Sequence, residues 1–90
     1  MVKQKGEPSN FHELVRADQR GLVLFNDEVN SFEFVISSLV EVCKHEFIQA
    51  EQCAMIAHLK GKCFIKNGTY PEIKPMYDEL TLRGLTVSIE

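Results

Sequence analysis

Apolar positions along this chain alternate between runs of strand length and stretches with a helical period. Residues 21–25, Gly-Leu-Val-Leu-Phe, form a compact apolar run closed by an Asn26-Asp27 turn signal, and they predict a buried strand. From residue 30 the period changes. Phe32, Val35, Ile36, Leu39, Val42 and Cys43 fall at helical spacing, and Asn30 with Glu33 three residues later fits a capping box. A second helix is predicted from about Phe47 to Lys60, with Gly61 placed to end it. Ala50, Ala54, Ala57 and His58 lie on one stripe of that helix. Small side chains there let another element approach closely, or leave a cavity if nothing fills the space.

Residues 62–66 read as a second strand and Asn67-Gly68 as a turn. Ile73, Met76, Tyr77 and Leu80 give residues 72–82 a helical period. Pro75 disfavours helical geometry at Lys74, so this third helix starts near Pro75 or starts earlier with an irregular first turn. Arg83-Gly84 ends it, and the alternation over 85–89 predicts the last strand. The order is β-α-α-β-α-β. The economical fold class is α+β, a small three-stranded antiparallel sheet packed against three helices on one face. Residues 1–20 are polar and mixed, with one short apolar cluster of Phe11, Leu14 and Val15, and are expected to form a flexible N-terminal arm before the domain at 21–90.

Ninety residues make one small domain, which buries only roughly 60–65% of its unfolded surface. One core must therefore use most of the 44% hydrophobic residues. The net charge of −3, with Lys and Arg scattered singly, argues against a phosphate-backbone ligand, so no nucleic acid is expected. No apolar run approaches the roughly 20 residues that span a bilayer, and the first residues do not form a signal-peptide apolar region; no membrane association and a cytoplasmic location are expected. Cys43, Cys53 and Cys63 are odd in number, sit among apolar residues and form no Cys-x-x-Cys pair. Buried reduced thiols are the favoured reading. A zinc site drawing on them with His45 or His58 is the lesser one, since the ten-residue spacing matches no short ligand pair. No metal or cofactor is expected.

The most informative segment is the junction between the first strand and the first helix. Asn26, Asp27 and Glu28 put acceptors on a turn held between two rigid elements, next to apolar residues at the helix start. With His58 from the second helix, the segment reads as a site for an ammonium group attached to a hydrophobic side chain, as at a peptide N-terminus. Taken singly, Asp27 is a turn former, His58 a helix-end histidine, and the stripe from Phe32 to Leu39 a core face. On the residues alone these structural readings are the favoured ones.

Asn26-Asp27-Glu28, the helix beginning Phe32-Glu33-Phe34-Val35-Ile36, the helix ending Ala57-His58-Leu59-Lys60-Gly61-Lys62 and the closing strand resemble the ClpS family of ATP-dependent Clp protease adaptors over residues 21–90. The resemblance implies a non-enzymatic adaptor of the N-end rule pathway. Such an adaptor binds the N-terminal residue of a substrate, docks on the N-terminal domain of a Clp unfoldase of the ClpA or ClpC type, and uses its arm in hand-over. By the same resemblance, Asn26, Asp27 and His58 hold the substrate α-amino group, and Glu28 and Asn30 engage its backbone. Phe32, Val35, Ala54, Ala57 and Leu85 line the side-chain pocket. This chain departs from the family in having Glu28 for a second Asp, Asn30-Ser31-Phe32 for Thr-Pro-Met, and Ala54 for a Met. Two alternatives remain: a general protein-interaction domain of the same fold, with a solid core between Phe32, Ala54 and Leu85, and a small hydrolase or metal-dependent enzyme. The second is disfavoured because no nucleophile elbow, carboxylate pair or phosphate loop is present.

Overall fold

Four consecutive buried residues, from Gly21 to Leu24, identify the strand around which the molecule is built. The computed structural model describes residues 18–90. Its elements are β1 (Gln19–Phe25), α1 (Phe32–Cys43), α2 (Phe47–Lys60), β2 (Lys62–Thr69), α3 (Tyr70–Leu82) and β3 (Val87–Ile89). The sheet order is β2-β1-β3, and both pairings are antiparallel. This is the expected α+β architecture in the expected order. Most of the expected arm, residues 1–17, lies outside the described residues. Its last two positions, Gln19 and Arg20, belong to β1, where they pair with Thr69 and Gly68.

Leu22 and Leu24 face the helices, and they share one core with Ile36, Leu39, Ala50, Ile73, Leu80 and Leu85. Burying each of these Leu and Ile side chains contributes about 1.5–3 kcal/mol. On the other face Phe64 lies across Gly21, where a Cβ would stand 2.7 Å from its ring, so the close approach requires glycine. Opposite Leu22 and Val23 the register of β2 shifts, leaving Ile65 as an extra residue. The bulge turns the Ile65 carbonyl toward His45, whose Nε2 approaches it at 2.6 Å. A carbonyl only accepts, so Nε2 carries the proton. His45, 4% exposed, is thus a core residue joining the α1–α2 link to β2.

Several boundaries differ from the sequence reading. α1 is capped by Ser31, whose Oγ accepts from the Phe34 N–H at 3.0 Å, and not by Asn30. β2 continues through Asn67 and Gly68, because β1 extends far enough back to pair with them and satisfy their backbone groups. α3 begins at Tyr70. Pro71 falls in the first turn, where a missing N–H costs little, and Glu72 Oε1 accepts from the Thr69 N–H at 2.8 Å. Pro75 stands inside the helix. β3 is shorter than expected: Leu85 precedes it, with its N–H on the Leu80 carbonyl at 3.0 Å.

The cysteines pack inward from α1, α2 and β2, and none forms a disulfide. Burial pushes the Cys43 thiol up to about 11. Burial, followed by the neighbouring Cys63 thiol, pushes Cys53 up to about 12. Thiols held protonated at neutral pH are poor nucleophiles and poor metal ligands. Among the described residues no three Cys, His, Asp or Glu side chains converge on one point.

Candidate functional site

β1 ends at Phe25, and the chain must turn sharply to start α1 at Phe32. Asp27 organises that turn. Its Oδ1 accepts from the Val29 N–H at 3.0 Å and the Asn30 N–H at 2.9 Å, and its Oδ2 from Asn30 Nδ2 at 3.1 Å. Partial burial pushes the Asp27 carboxyl up, but the hydrogen bonds from Asn30 and Val29 outweigh it and hold the group below its ordinary 3.8. Asp27 is therefore an ionised carboxylate at neutral pH.

The loop is tied to the end of α2 by the Asn26 N–H, which donates to the Gly61 carbonyl at 2.9 Å. Gly61 ends α2 at φ 100°, a left-handed conformation suited to glycine, with its N–H on the Ala57 carbonyl at 2.9 Å. That pair of bonds sets Asn26 beside the last turn of α2, which carries His58.

Between these elements lies a cleft of about 440 Å³, open on one side, lined by Leu24, Phe25, Asn26, Asp27, Glu28, Asn30, Phe32, Val35, Ala54, Met55, Ala57 and His58. Its floor is apolar. Ala54 and Ala57 are buried there, and their short side chains leave room between α2 and α1 that Phe32 does not close. Its rim is rich in acceptors: Asn26, Glu28 and His58 are exposed, and their side chains make no hydrogen bond to another described residue. An apolar floor beside unengaged acceptors suits a ligand that joins a cation to a hydrophobic group. In a smaller hollow of about 260 Å³, lined by Glu33, Ile36, Ser37, Val40, Glu41 and Phe47, the Glu41 carboxylate is already engaged by Arg83 at 2.8 Å and the Ser37 hydroxyl by the Phe34 carbonyl at 3.1 Å.

The structure brings together Asn26, Asp27, Glu28, Asn30, Phe32, Val35, Ala54, Ala57 and His58 around this cleft. It does not bring Leu85 to the lining: that side chain is 4% exposed and packed in the core. The sequence reading missed Leu24, Phe25 and Met55. The first two directly precede the loop, and Met55 adjoins Ala54 on a helix whose apolar stripe was read as narrower. His45, weighed with His58 as a metal ligand, lies in the core.

Fold and site together define a class: a small α+β domain presenting a half-open apolar cleft under a rim of acceptors. The chain belongs to the ClpS family of ATP-dependent Clp protease adaptor proteins, whose family model matches residues 16–88. It is thus a Clp protease adaptor, as the resemblance in its residues implied. Among solved structures it is similar to Agrobacterium tumefaciens ClpS2 bound to L-phenylalaninamide, at 22% identity and a TM-score of 0.69, over 81% of this chain and 95% of that one. That likeness shows the fold. No curated protein matches the chain. Among the described residues no helix is long and apolar enough to cross a membrane.

Proposed function

We propose that the cleft binds the free N-terminal residue of a polypeptide when that residue is bulky and apolar, and that the domain delivers such substrates to a Clp unfoldase of the ClpA or ClpC type in the cytoplasm. The observation that carries this reading is the 440 Å³ cleft whose apolar floor meets the acceptors of Asn26, Glu28 and His58 at one end. A peptide α-amino group, with a reference pKa of about 8, is mostly ammonium at neutral pH and brings three donors to that rim. Asn26 and His58 supply acceptors, and Asp27 with Glu28 supplies negative charge. Phe32, Val35, Ala54, Ala57 and Met55 enclose the side chain. The similar ClpS2 structure holds an amino-acid amide with a free amino group and an aromatic side chain, a small mimic of such a terminus. A general interaction domain of this fold needs no cleft between Phe32 and Ala54. We read the domain as a binding module without catalysis, with the residues that precede β1 serving in hand-over.

The test is calorimetric. A peptide beginning with Phe or Leu should bind, and its N-acetylated twin should not, because acetylation leaves the carboxylates facing an uncharged, bulkier group; each hydrogen bond lost to a charged group costs about 1.5–3 kcal/mol. Equal affinity for the two peptides would refute the reading.

A further inference from the structure

The Asn30 side chain spends both of its amide hydrogens inside the protein. Nδ2 donates to Asp27 Oδ2 at 3.1 Å and to the Gly84 carbonyl at 2.9 Å, 54 residues away. Its own backbone N–H is held by Asp27 Oδ1 at 2.9 Å. Every donor of Asn30 is thereby engaged. Gly84 is itself held firmly: it takes a left-handed φ of 89°, and its N–H donates to the Thr81 carbonyl at 2.9 Å. The next residue, Leu85, is anchored in the core. The acceptor loop is consequently suspended from two fixed points. One is the Asn26 N–H on Gly61 at the end of α2, and the other is the Asn30 amide on Gly84 after α3.

We propose that Asn30 is a positioning residue for the cleft, a strut between the Asp27 carboxylate and the Gly84 carbonyl that sets where Asn26 and Glu28 stand, and that it donates no hydrogen bond to the ligand. This rests on the peptide-binding reading above and replaces the backbone-contact role that the family resemblance implied for Asn30. The residue type is decisive. An amide offers two N–H groups from one atom, a hydroxyl one, and a carboxylate none. Threonine, common in the family at this position, can bond Asp27 or Gly84 with its single proton but not both.

Three substitutions separate a strut from a direct contact. Asn30→Asp keeps the shape and keeps an oxygen acceptor, but it removes both donors and sets a negative charge against Asp27 and the Gly84 carbonyl. As a strut its loss weakens binding of a Phe-initiated peptide more than Asn30→Ala does; as a direct acceptor for the substrate it leaves binding equal or tighter. Asn30→Ala is expected to weaken binding about tenfold, the size of one charge-assisted hydrogen bond, and Asn30→Thr to fall between it and the wild type. A second readout needs no peptide. In the ligand-free protein, NMR titration of the Asp27 carboxyl should show its midpoint rising in Asn30→Ala, as one of its donors is lost. The two Nδ2 protons of Asn30 in the wild type should also be protected from exchange. Peptide affinity retained in Asn30→Asp, an unmoved Asp27 midpoint in Asn30→Ala, or unprotected Nδ2 protons would each overturn the strut. Failure of the wild type to bind any free N-terminus would instead sink the peptide reading, while the titration and exchange data still decide the role of Asn30.

Discussion

One histidine precedes α2 and another sits in its last turn, and the two have opposite surroundings. His45, just before the first turn, is buried, and its Nε2 binds the Ile65 carbonyl where β2 bulges. His58, in the last turn, is exposed on the rim of the cleft and engages no described residue. The chain takes a left-handed step beside each: at Lys44, φ 59°, before the helix, and at Gly61, φ 100°, after it. The backbone devices are alike and the consequences differ. At one end the packing takes up Nε2 and shuts the ring away from solvent, its Nδ1 buried without a partner among the described residues. At the other, two alanines leave the space between the elements unfilled, and the polar groups remain available to a ligand. Whether a histidine is structure or site is decided by what its neighbours leave unfilled.

Exchanging the two roles gives the largest expected effects. His45→Ala should destabilise the domain by about 2–3 kcal/mol in urea unfolding, since it opens a cavity and strips the Ile65 carbonyl of its donor. Peptide affinity of the folded protein should stay within about twofold. His58→Ala should leave stability within about 0.5 kcal/mol and weaken binding of a free N-terminal peptide about tenfold, as expected for one lost hydrogen bond to a charged group. If His45→Ala abolished binding in a stable protein, or His58→Ala unfolded it, the contrast between the two ends would be wrong.

The shape of the cleft offers a finer break. Phe32 lines the cleft and is half-buried against the core. A rigid β-branched first residue should meet that ring, whereas Phe, Tyr, Leu or Trp passes it. In a peptide panel varying only the first residue, the wild type should favour Leu over Ile, and Phe32→Ala should bring Val and Ile to within a few-fold of Leu. Equal wild-type affinity for Leu and Ile would remove the gate.

A further test couples stability to the site. Gly61→Ala meets no steric neighbour but forces a side chain into the left-handed region, at a cost of about 1 kcal/mol. Because the Gly61 carbonyl holds Asn26, peptide affinity should fall along with stability. No such pairing is expected at the His45 end: substituting Lys44 should change stability alone.

The smallest effect concerns acid. The folded-state value of Asp27 lies below its ordinary 3.8, so its ionised form stabilises the turn at all pH values above that reference. The contribution disappears as pH falls through the lower, folded value. The stability difference between wild type and Asp27→Asn should therefore be constant from pH 7 to about pH 4 and shrink below it. A difference that already shrinks between pH 6 and 5 would contradict the hydrogen bonding assigned to Asp27.

Much of this was legible in the residues. The helical period from Phe32 to Cys43, the α2 limits with Gly61 as terminator, and the sheet-forming runs led directly to the α+β order, because each is set by local spacing and a local stop signal. The acceptors of the candidate cleft were legible as a set, since Asn26, Asp27 and Glu28 are contiguous; Phe32, Val35, Ala54 and Ala57 came only from the family resemblance, and the structure brings them to the same cleft. Where local signals failed, a distant partner had overridden them. Asn67-Gly68 reads as a turn until β1 supplies Arg20 and Gly21 to pair with it. Asn30 reads as a helix cap until Asp27 and Gly84 claim its amide, leaving the cap to Ser31. Pro75 leaves the start of the third helix open, near itself or earlier, until Thr69 and Glu72 fix it at Tyr70.

By itself the sequence determined the elements, their order and the chemistry available at the first loop, for these depend on period, propensity and contiguous residue types. Tertiary structure alone decided which groups were spent. It buried His45 and Leu85, left His58 exposed, kept Ala54 and Ala57 under open space, and fastened the loop at Gly61 and Gly84. The reason is that a hydrogen-bonding group is satisfied, and an apolar gap filled, only by whatever atoms the rest of the chain brings within a few ångströms. Residues such as Gly84, 54 positions from Asn30, are invisible to any local reading.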